Sequence, residues 1–116
     1  MSKQRDVRTS LFDILKCSKS CIDYTFGMSF EQFVSDAKTI HAVQHQLMII
    51  GEATKRIDDE FRNKYPEIPW KKMAGTRDVL IHSYEEANFE TIWDIVMIQI
   101  LEIIPKVEKI LNDLEK

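Results

Sequence analysis

The segment from Arg77 to Tyr84 carries the side chains of this sequence best suited to chemistry on a phosphate group. The guanidinium of Arg77 offers a planar fork of donors that matches phosphate oxygens. The imidazole of His82 can take and give a proton near neutral pH. Tyr84 adds a hydroxyl that can donate, accept or be modified. These three residue types within eight positions indicate a site that handles phosphate.

Helical geometry limits how these side chains can meet. Arg77 and Tyr84 are seven positions apart and share a face, whereas His82 is five positions from Arg77 and about 140° around the axis. Arg77 and His82 therefore converge only if the helix ends near His82 or if two chains face each other in a symmetric dimer. For each residue alone a structural role stays open: His82 as a partner of the helix C-terminus, and Tyr84 as a core residue.

The charge of the chain is uneven although its net value is only −3. Residues 55–77 hold seven basic and four acidic side chains, a net charge of +3, and lead directly into the Arg77 segment. The net charge of −3 argues against a broad, non-specific nucleic-acid surface. A small RNA-binding patch that includes Lys71 and Lys72 is one interpretation of the basic stretch, and solvated helix faces are the other.

Helices are the elements expected to position this segment. The chain has three Gly and three Pro, its apolar residues recur at helical spacing, and no segment alternates with a period of two. We predict an all-α, up-and-down helical bundle of four main helices plus one short helix, forming a single domain over residues 1–116. The predicted helices cover residues 4–26, a short piece from the capping box Ser29–Gln32 to a break near Asp36, then a long piece to about 63, then 69–83 and 89–114.

The last of these helices is apolar on more than one face. Ile95, Met97, Ile98 and Ile104 fall outside its main stripe. Such a helix is either central in its bundle or part of a dimer interface, and the sequence leaves both open.

Other features restrict the class of protein. Cys17 and Cys21 have no further cysteine to pair with, so we expect reduced and partly buried thiols. His41 and His45 have a spacing able to hold a metal but no third ligand in sight, so we expect no metal and no cofactor. The apolar run at residues 92–104 is broken by polar side chains, which predicts no membrane span. The N-terminal ten residues carry charge without a following apolar stretch, so we expect no signal peptide and a cytoplasmic protein.

The pattern Arg-x4-His-x-Tyr at residues 77–84, preceded by Ile68-Pro69-Trp70 and Gly75, resembles the HepT toxin family of the HEPN superfamily. The resemblance extends in order over nearly the whole chain. Further matching segments are Arg5-Asp6, Asp13-Ile14, residues 24–28, residues 30–33, Ala42-Val43, Ile50-Gly51-Glu52-Ala53, residues 65–70 and Trp93.

This resemblance implies a small helical toxin that pairs with a minimal nucleotidyltransferase antitoxin of the MntA type. It implies a metal-independent ribonuclease acting as a homodimer, with His82 as general acid or base and Arg77 holding the scissile phosphate of an RNA substrate. It also implies that the antitoxin silences the toxin by adding AMP to Tyr84. RNA supplies its own nucleophile, so proton transfer and charge stabilisation can suffice for cleavage.

The sequence departs from the family pattern at several positions. Asp78 stands where Asn is common, and its carboxylate could repel phosphate or pair with Arg77. His45 and Gln46 stand where the family often has Arg-Asn. Gly51 is costly inside a helix, which predicts that another helix packs closely against it, with Glu52 orienting a group near the cleft.

Two other functions remain as alternatives. The chain could be a non-catalytic helical binding module that docks to a nucleotidyltransferase, with the Arg77 segment contacting a nucleotide or the partner. A metalloenzyme is poorly supported, because the residues able to bind a metal are scattered.

Overall fold

The structure of the protein is a computed structural model. It describes the backbone of residues 3–86 and 88–115 and the side chains of residues 6–80 and 88–115. Within these ranges every regular element is a helix, which confirms the all-α class. The elements are α1 (Lys3–Thr25), α2 (Phe30–Val34), α3 (Ala37–Lys55), α4 (Asp59–Lys64), α5 (Trp70–Glu86), α6 (Phe89–Asp94), a π-helical segment (Ile95–Ile100) and α7 (Leu101–Leu114).

Local sequence signals set most of the helix ends. The capping box predicted at Ser29 forms, and the side chains of Asp36, Asp58 and Asn88 each accept a hydrogen bond from the backbone N–H three residues on. These caps satisfy donors that the first turn of a helix leaves unpaired. Gly27 follows α1 with a φ of 75°, a conformation that glycine adopts without steric cost.

The prediction of one continuous helix through α3 and α4 was wrong. Asp58 caps a new helix by accepting from the N–H of Phe61 at 2.9 Å. The side chain of Arg62 then folds back and donates to the carbonyls of Thr54 and Ile57 at 2.8 and 2.9 Å. Ile57 and Phe61 keep a spacing of four across the break, so the apolar periodicity did not reveal it.

The last predicted helix, residues 89–114, contains an internal change of geometry. A π-helical segment, which has a wider turn than an α-helix, separates α6 from α7 and precedes Pro105. Val96 and Ile100 of this segment are buried, whereas Ile98 is 65% exposed and the adjacent Leu101 is 47% exposed. The helix is therefore packed on one side and keeps apolar surface open on another.

Polar contacts show that α1 runs antiparallel to both α3 and α7. Toward α3, Arg56 bonds Asp13 at 3.0 Å near one end of the pair, and the amide of Gln46 donates to the Tyr24 hydroxyl at 3.5 Å near the other. Toward α7, Arg8 donates to the Leu114 carbonyl at 2.8 Å and Lys19 pairs with Glu108 at 3.3 Å. The start of α1 therefore lies at the end of α7, so these two helices also run in opposite directions. Buried apolar residues fill the space between these helices, among them Leu11, Ile14, Leu47, Ile50, Ile103 and Val107.

Both cysteines are free thiols, as expected, and both are buried rather than partly buried. Burial in apolar surroundings disfavours the thiolate and raises the pKa of Cys21 to about 12. Burial likewise raises the pKa of Cys17. Both residues therefore serve as small apolar side chains of the core.

Two glycines inside helices occupy opposite environments. A Cβ atom placed on Gly51 of α3 would lie 3.4 Å from the backbone nitrogen of Arg77 and 3.5 Å from the carbonyl oxygen of Met73, both on α5. A Cβ atom on Gly75 would meet nothing within 4 Å. The two helix backbones approach so closely at Gly51 that nothing larger than a methyl group would fit between them, which confirms the close packing predicted there.

We expect Gly51→Ala to change the free energy of unfolding little, because its methyl group would make contacts at ordinary distances. Gly51→Val should lower that free energy by about 1–3 kcal/mol, because its γ carbons would overlap the α5 backbone. Urea unfolding of the two variants tests this. Equal stability of the Val and Ala variants would contradict a close approach of α3 and α5.

Gly75→Ala should raise the free energy of unfolding by about 0.5–1 kcal/mol, since alanine favours the helix and nothing stands near the added methyl group. The matched control is Gly27→Ala, which should lower stability because alanine is strained at positive φ. Thermal unfolding of both variants checks the signs, and a destabilised Gly75→Ala protein would show that the surface at this position is not open.

Candidate active site

Arg77 projects from α5 at the point where that helix crosses Gly51. Its Nη1 atom lies 3.8 Å from Oε1 of Glu52, and the side chains are 44% and 50% exposed. An ion pair this exposed and this long contributes roughly 0–1 kcal/mol. The α3–α5 contact therefore fixes the backbone of Arg77, while its guanidinium is held loosely enough to turn towards an anion.

Asp78 is exposed on the surface of α5. Among the described side chains, the carboxylate within 4 Å of the Arg77 guanidinium is that of Glu52 and not that of Asp78. Asp78 therefore places a negative charge next to Arg77 in the sequence but forms no ion pair with its guanidinium.

His82 and Tyr84 lie on α5, but their side chains are outside the described residues. The backbone alone is informative, because α5 extends to Glu86 and does not end near His82. One of the two routes by which Arg77 and His82 could converge, a helix ending near His82, is therefore absent. The other route, two facing chains, is the one compatible with an uninterrupted helix.

The basic side chains Lys71 and Lys72 lie exposed at the beginning of α5. They border a groove of about 650 Å³ between α4 and the start of α5. The groove was not foreseen from the sequence, and the loop that carries Pro66 and Pro69 contributes to its lining. Its lining residues are Asp59, Arg62, Asn63, Pro66, Ile68, Pro69, Trp70, Lys71 and Lys72.

An aromatic cluster holds this loop in place. The indole Nε1 of Trp70 donates to the Tyr65 carbonyl at 2.9 Å, and the ring of Phe61 contacts both aromatic rings. The side chain of Ile68, which belongs to this loop, is buried in the core. Lys106 of α7 donates to the Glu67 carbonyl of the same loop at 3.2 Å. The beginning of α5 is thus anchored from three directions, which makes the helix a rigid support for Arg77.

The histidines of α3 lie away from this groove. His41 lines a pocket of about 210 Å³ between α3 and the start of α6, together with Gln44 and Phe89, and His45 is exposed. In the described part of the chain, no group of three His, Cys, Asp or Glu side chains is arranged to hold a metal ion. Nor does any described helix combine the length and apolar character needed to cross a bilayer.

Comparison with known proteins identifies the family. Residues 14–110 match the model of the family described as "Ribonuclease HepT-like". A protein of Methanocaldococcus jannaschii named "Putative RNase MJ0127" is 47% identical over 112 residues, which is 97% of this chain and 93% of that protein.

Relatives from other organisms show the same extent of similarity. "Putative RNase TTE0752" of Caldanaerobacter subterraneus subsp. tengcongensis is 41% identical over 105 residues, 90% of this chain and 94% of that protein. "Probable ribonuclease HepT" of Thermococcus cleftensis is 38% identical over 107 residues, 92% of this chain and 97% of that protein. No solved structure matches the chain. The family match and the near full-length similarity together establish that this chain belongs to the HepT-like ribonuclease family.

Proposed function

We propose that this protein is the toxin of a toxin–antitoxin pair and cleaves RNA without a metal or other cofactor in the cytoplasm. The observation that carries the proposal is the Arg77 guanidinium, half-exposed on a rigidly anchored helix in a chain of the HepT-like ribonuclease family. Its weak pairing with Glu52 leaves it available for a phosphate.

In the proposed reaction, His82 removes the proton from a ribose 2′-hydroxyl. The 2′-oxygen attacks the adjacent phosphorus, and Arg77 stabilises the additional negative charge on the phosphoryl oxygens. The bond from phosphorus to the 5′-oxygen then breaks, and the proton reaches that oxygen from the imidazolium. The products are a 2′,3′-cyclic phosphate and a 5′-hydroxyl, with atoms and charge balanced and no metal required.

The proposed active unit is a homodimer in which Arg77 of one chain and His82 of the other act on one phosphodiester. Support comes from the continuity of α5 beyond His82, since on one helix these positions are about 140° apart. The exposed apolar residues Ile98 and Leu101 are compatible with a second copy covering part of the surface.

Neighbouring charges are proposed to support the site. Glu52 orients the Arg77 guanidinium before substrate arrives. Lys71 and Lys72 attract RNA phosphates to the beginning of α5 and raise the local concentration of substrate. Asp78 opposes this attraction and lowers affinity for phosphate, so we assign it a tuning role.

Tyr84 is the proposed target of an MntA-like nucleotidyltransferase antitoxin. On a regular helix it shares a face with Arg77, seven positions away. AMP attached there would place a phosphodiester anion and a nucleoside beside the guanidinium. The modification would then exclude RNA by both charge and volume.

Purified protein should cleave single-stranded RNA in the presence of EDTA, and His82→Ala or Arg77→Ala should reduce cleavage by about 10²-fold or more. Mixed dimers of the two variants keep one intact Arg77–His82 pair across the interface. They should therefore recover about half of the wild-type activity, as measured with a fluorogenic RNA.

Retained cleavage by His82→Ala would reject the catalytic assignment. Mixed dimers no more active than either parent would reject the shared site. A wild-type protein that neither cleaves RNA nor arrests growth when expressed alone would instead favour the alternative, a non-catalytic module that docks to a nucleotidyltransferase.

Co-expression with the adjacent transferase should increase the intact mass of the chain in AMP-sized steps and suppress RNA cleavage. Tyr84→Phe should abolish the mass increase because the acceptor hydroxyl is gone. Tyr24→Phe, which removes an exposed hydroxyl on α1, is the matched control and should still be modified. Peptide mapping that places AMP on another residue would contradict the assignment.

A further inference from the structure

A small pocket of about 210 Å³ lies between the end of α2, the beginning of α3 and the start of α6. Its walls include the apolar side chains of Val34, Ile40 and Phe89, and its polar groups include the imidazole of His41 and the side-chain amide of Gln44. The volume is below the roughly 300–1,000 Å³ of sites for drug-sized ligands. The pocket therefore suits a single flat ring system.

The groups of this pocket that are able to bind a ring are not engaged elsewhere. The Ser35 hydroxyl donates to the Glu31 carbonyl at 2.9 Å. Within the part of the chain that the structure describes, in contrast, neither the Gln44 amide nor the His41 imidazole has a hydrogen-bond partner. The ring of Phe89 packs half-buried against the core and has no ring contact with another described aromatic side chain. The amide and the aromatic ring are therefore available to a ligand.

This pair of groups matches the chemistry of a nucleobase. Aromatic side chains bind bases by stacking. A Gln amide presents one donor beside one acceptor, and adenine presents an amino donor beside a ring-nitrogen acceptor, so the two pair through two hydrogen bonds. Guanine carries an additional amino group, which the apolar walls at Val34 and Ile40 would leave unpaired at a cost in affinity. Adenine is therefore the base that this pocket accommodates best.

The pocket and the Arg77 guanidinium lie along the same side of α3. Gln44 precedes Gly51 by seven positions, about 20° around the helix and about 10 Å along it, and the Arg77 backbone packs against Gly51. The exposed His41 is eleven positions before Glu52, again about 20° around the axis, and Glu52 is the partner of the Arg77 guanidinium. A ligand in the pocket is thus about 10 Å along α3 from the candidate active site.

The far end of α5 approaches the same pocket. Trp70, at the beginning of α5, contacts Phe61 of α4 beside the end of α3, and α5 then crosses α3 at Gly51. Phe89, three residues after the last residue of α5, lines the pocket at the beginning of α3. The backbone of Tyr84 is nine residues beyond the middle of the Gly51 contact, about 13 Å along α5. Tyr84 is therefore on the stretch of α5 that is level with the pocket.

We propose that this pocket binds the adenine base of an adenosine 5′-phosphate group. Two groups of the proposed function have this chemistry, namely an adenosine of the RNA substrate and the AMP attached to Tyr84. The binding of adenine does not depend on the proposed function. The choice between these two occupants does rest on it.

Binding is tested by titrating AMP, GMP and UMP into unmodified, ¹⁵N-labelled protein and following the titrations by NMR. AMP should shift the resonances of His41 and Gln44 and should bind about fivefold or more tightly than UMP or GMP. All three nucleotides carry the same ribose and phosphate, so the difference reports the base alone. Equal affinities, or shifts confined to residues outside the pocket, would reject an adenine site.

Gln44→Glu replaces the donor of the amide with a second acceptor at nearly unchanged shape. Guanine presents two adjacent donors that match a carboxylate, so the ratio of AMP affinity to GMP affinity should fall about tenfold or more. Gln46→Glu is the matched control, because it makes the same change on the side of α3 where the Gln46 amide donates to Tyr24 of α1. It should leave the ratio unchanged. An unchanged ratio in Gln44→Glu, or an equal fall in both variants, would overturn the proposal.

Gln44→Leu, which loses both hydrogen bonds at similar volume, identifies the occupant. The distance of about 10 Å corresponds to about three stacked nucleotides. If RNA supplies the base, replacing adenines within three positions of the cleaved bond by uracil should lower wild-type kcat/KM about fivefold, and Gln44→Leu should show no such preference. If AMP on Tyr84 supplies it, a phosphodiesterase should remove that AMP about fivefold faster from Gln44→Leu than from wild type, as followed by intact mass. If neither rate depends on Gln44 although free AMP binds, the occupant is a free adenine nucleotide.

The outcomes separate this inference from the proposed function. Protein that prefers AMP but cleaves no RNA would reject the ribonuclease function and leave the adenine site intact. Protein that cleaves RNA but binds AMP no better than UMP would reject the adenine site alone.

Discussion

The approach of α3 and α5 at Gly51 is the contact on which the geometry of the candidate active site depends. A side chain at this position would stand against the backbone nitrogen of Arg77 and the carbonyl of Met73. Because a side chain larger than a methyl group would overlap the α5 backbone here, α5 lies close on α3, and Arg77 emerges at the junction rather than at a distance from it.

At Arg77 the backbone is held rigidly by its helix while the side chain is held loosely. This combination suits a residue that must bind a substrate. The beginning of α5 is anchored by the Trp70 indole, by the aromatic contacts of Phe61 and, through its preceding loop, by Lys106. The guanidinium itself has only an exposed partner at 3.8 Å. A tighter, buried pair would have to be broken before phosphate could bind, at a cost of several kcal/mol.

The sequence predicted much of the secondary structure, because its signals are local. Ser29, Asp36 and Asn88 cap helices through hydrogen bonds to donors three residues away, and no distant contact is needed to form them. The same dependence on local signals explains where the predicted secondary structure was wrong. The first helix was predicted to extend to residue 26, yet Phe26 follows the last helical residue, Thr25, and is 86% exposed.

What the sequence determined by itself was the helical class, most helix ends and the residue types able to act on phosphate. Only the tertiary structure showed that Gly51 packs against α5 whereas Gly75 faces open space. The residue type is the same at both positions, so it does not reveal what packs against either. The break between α3 and α4, in contrast, rests on the local contacts of Asp58 and Arg62, which the apolar periodicity did not reveal. Distances between elements arise from packing, and a linear pattern does not encode them residue by residue.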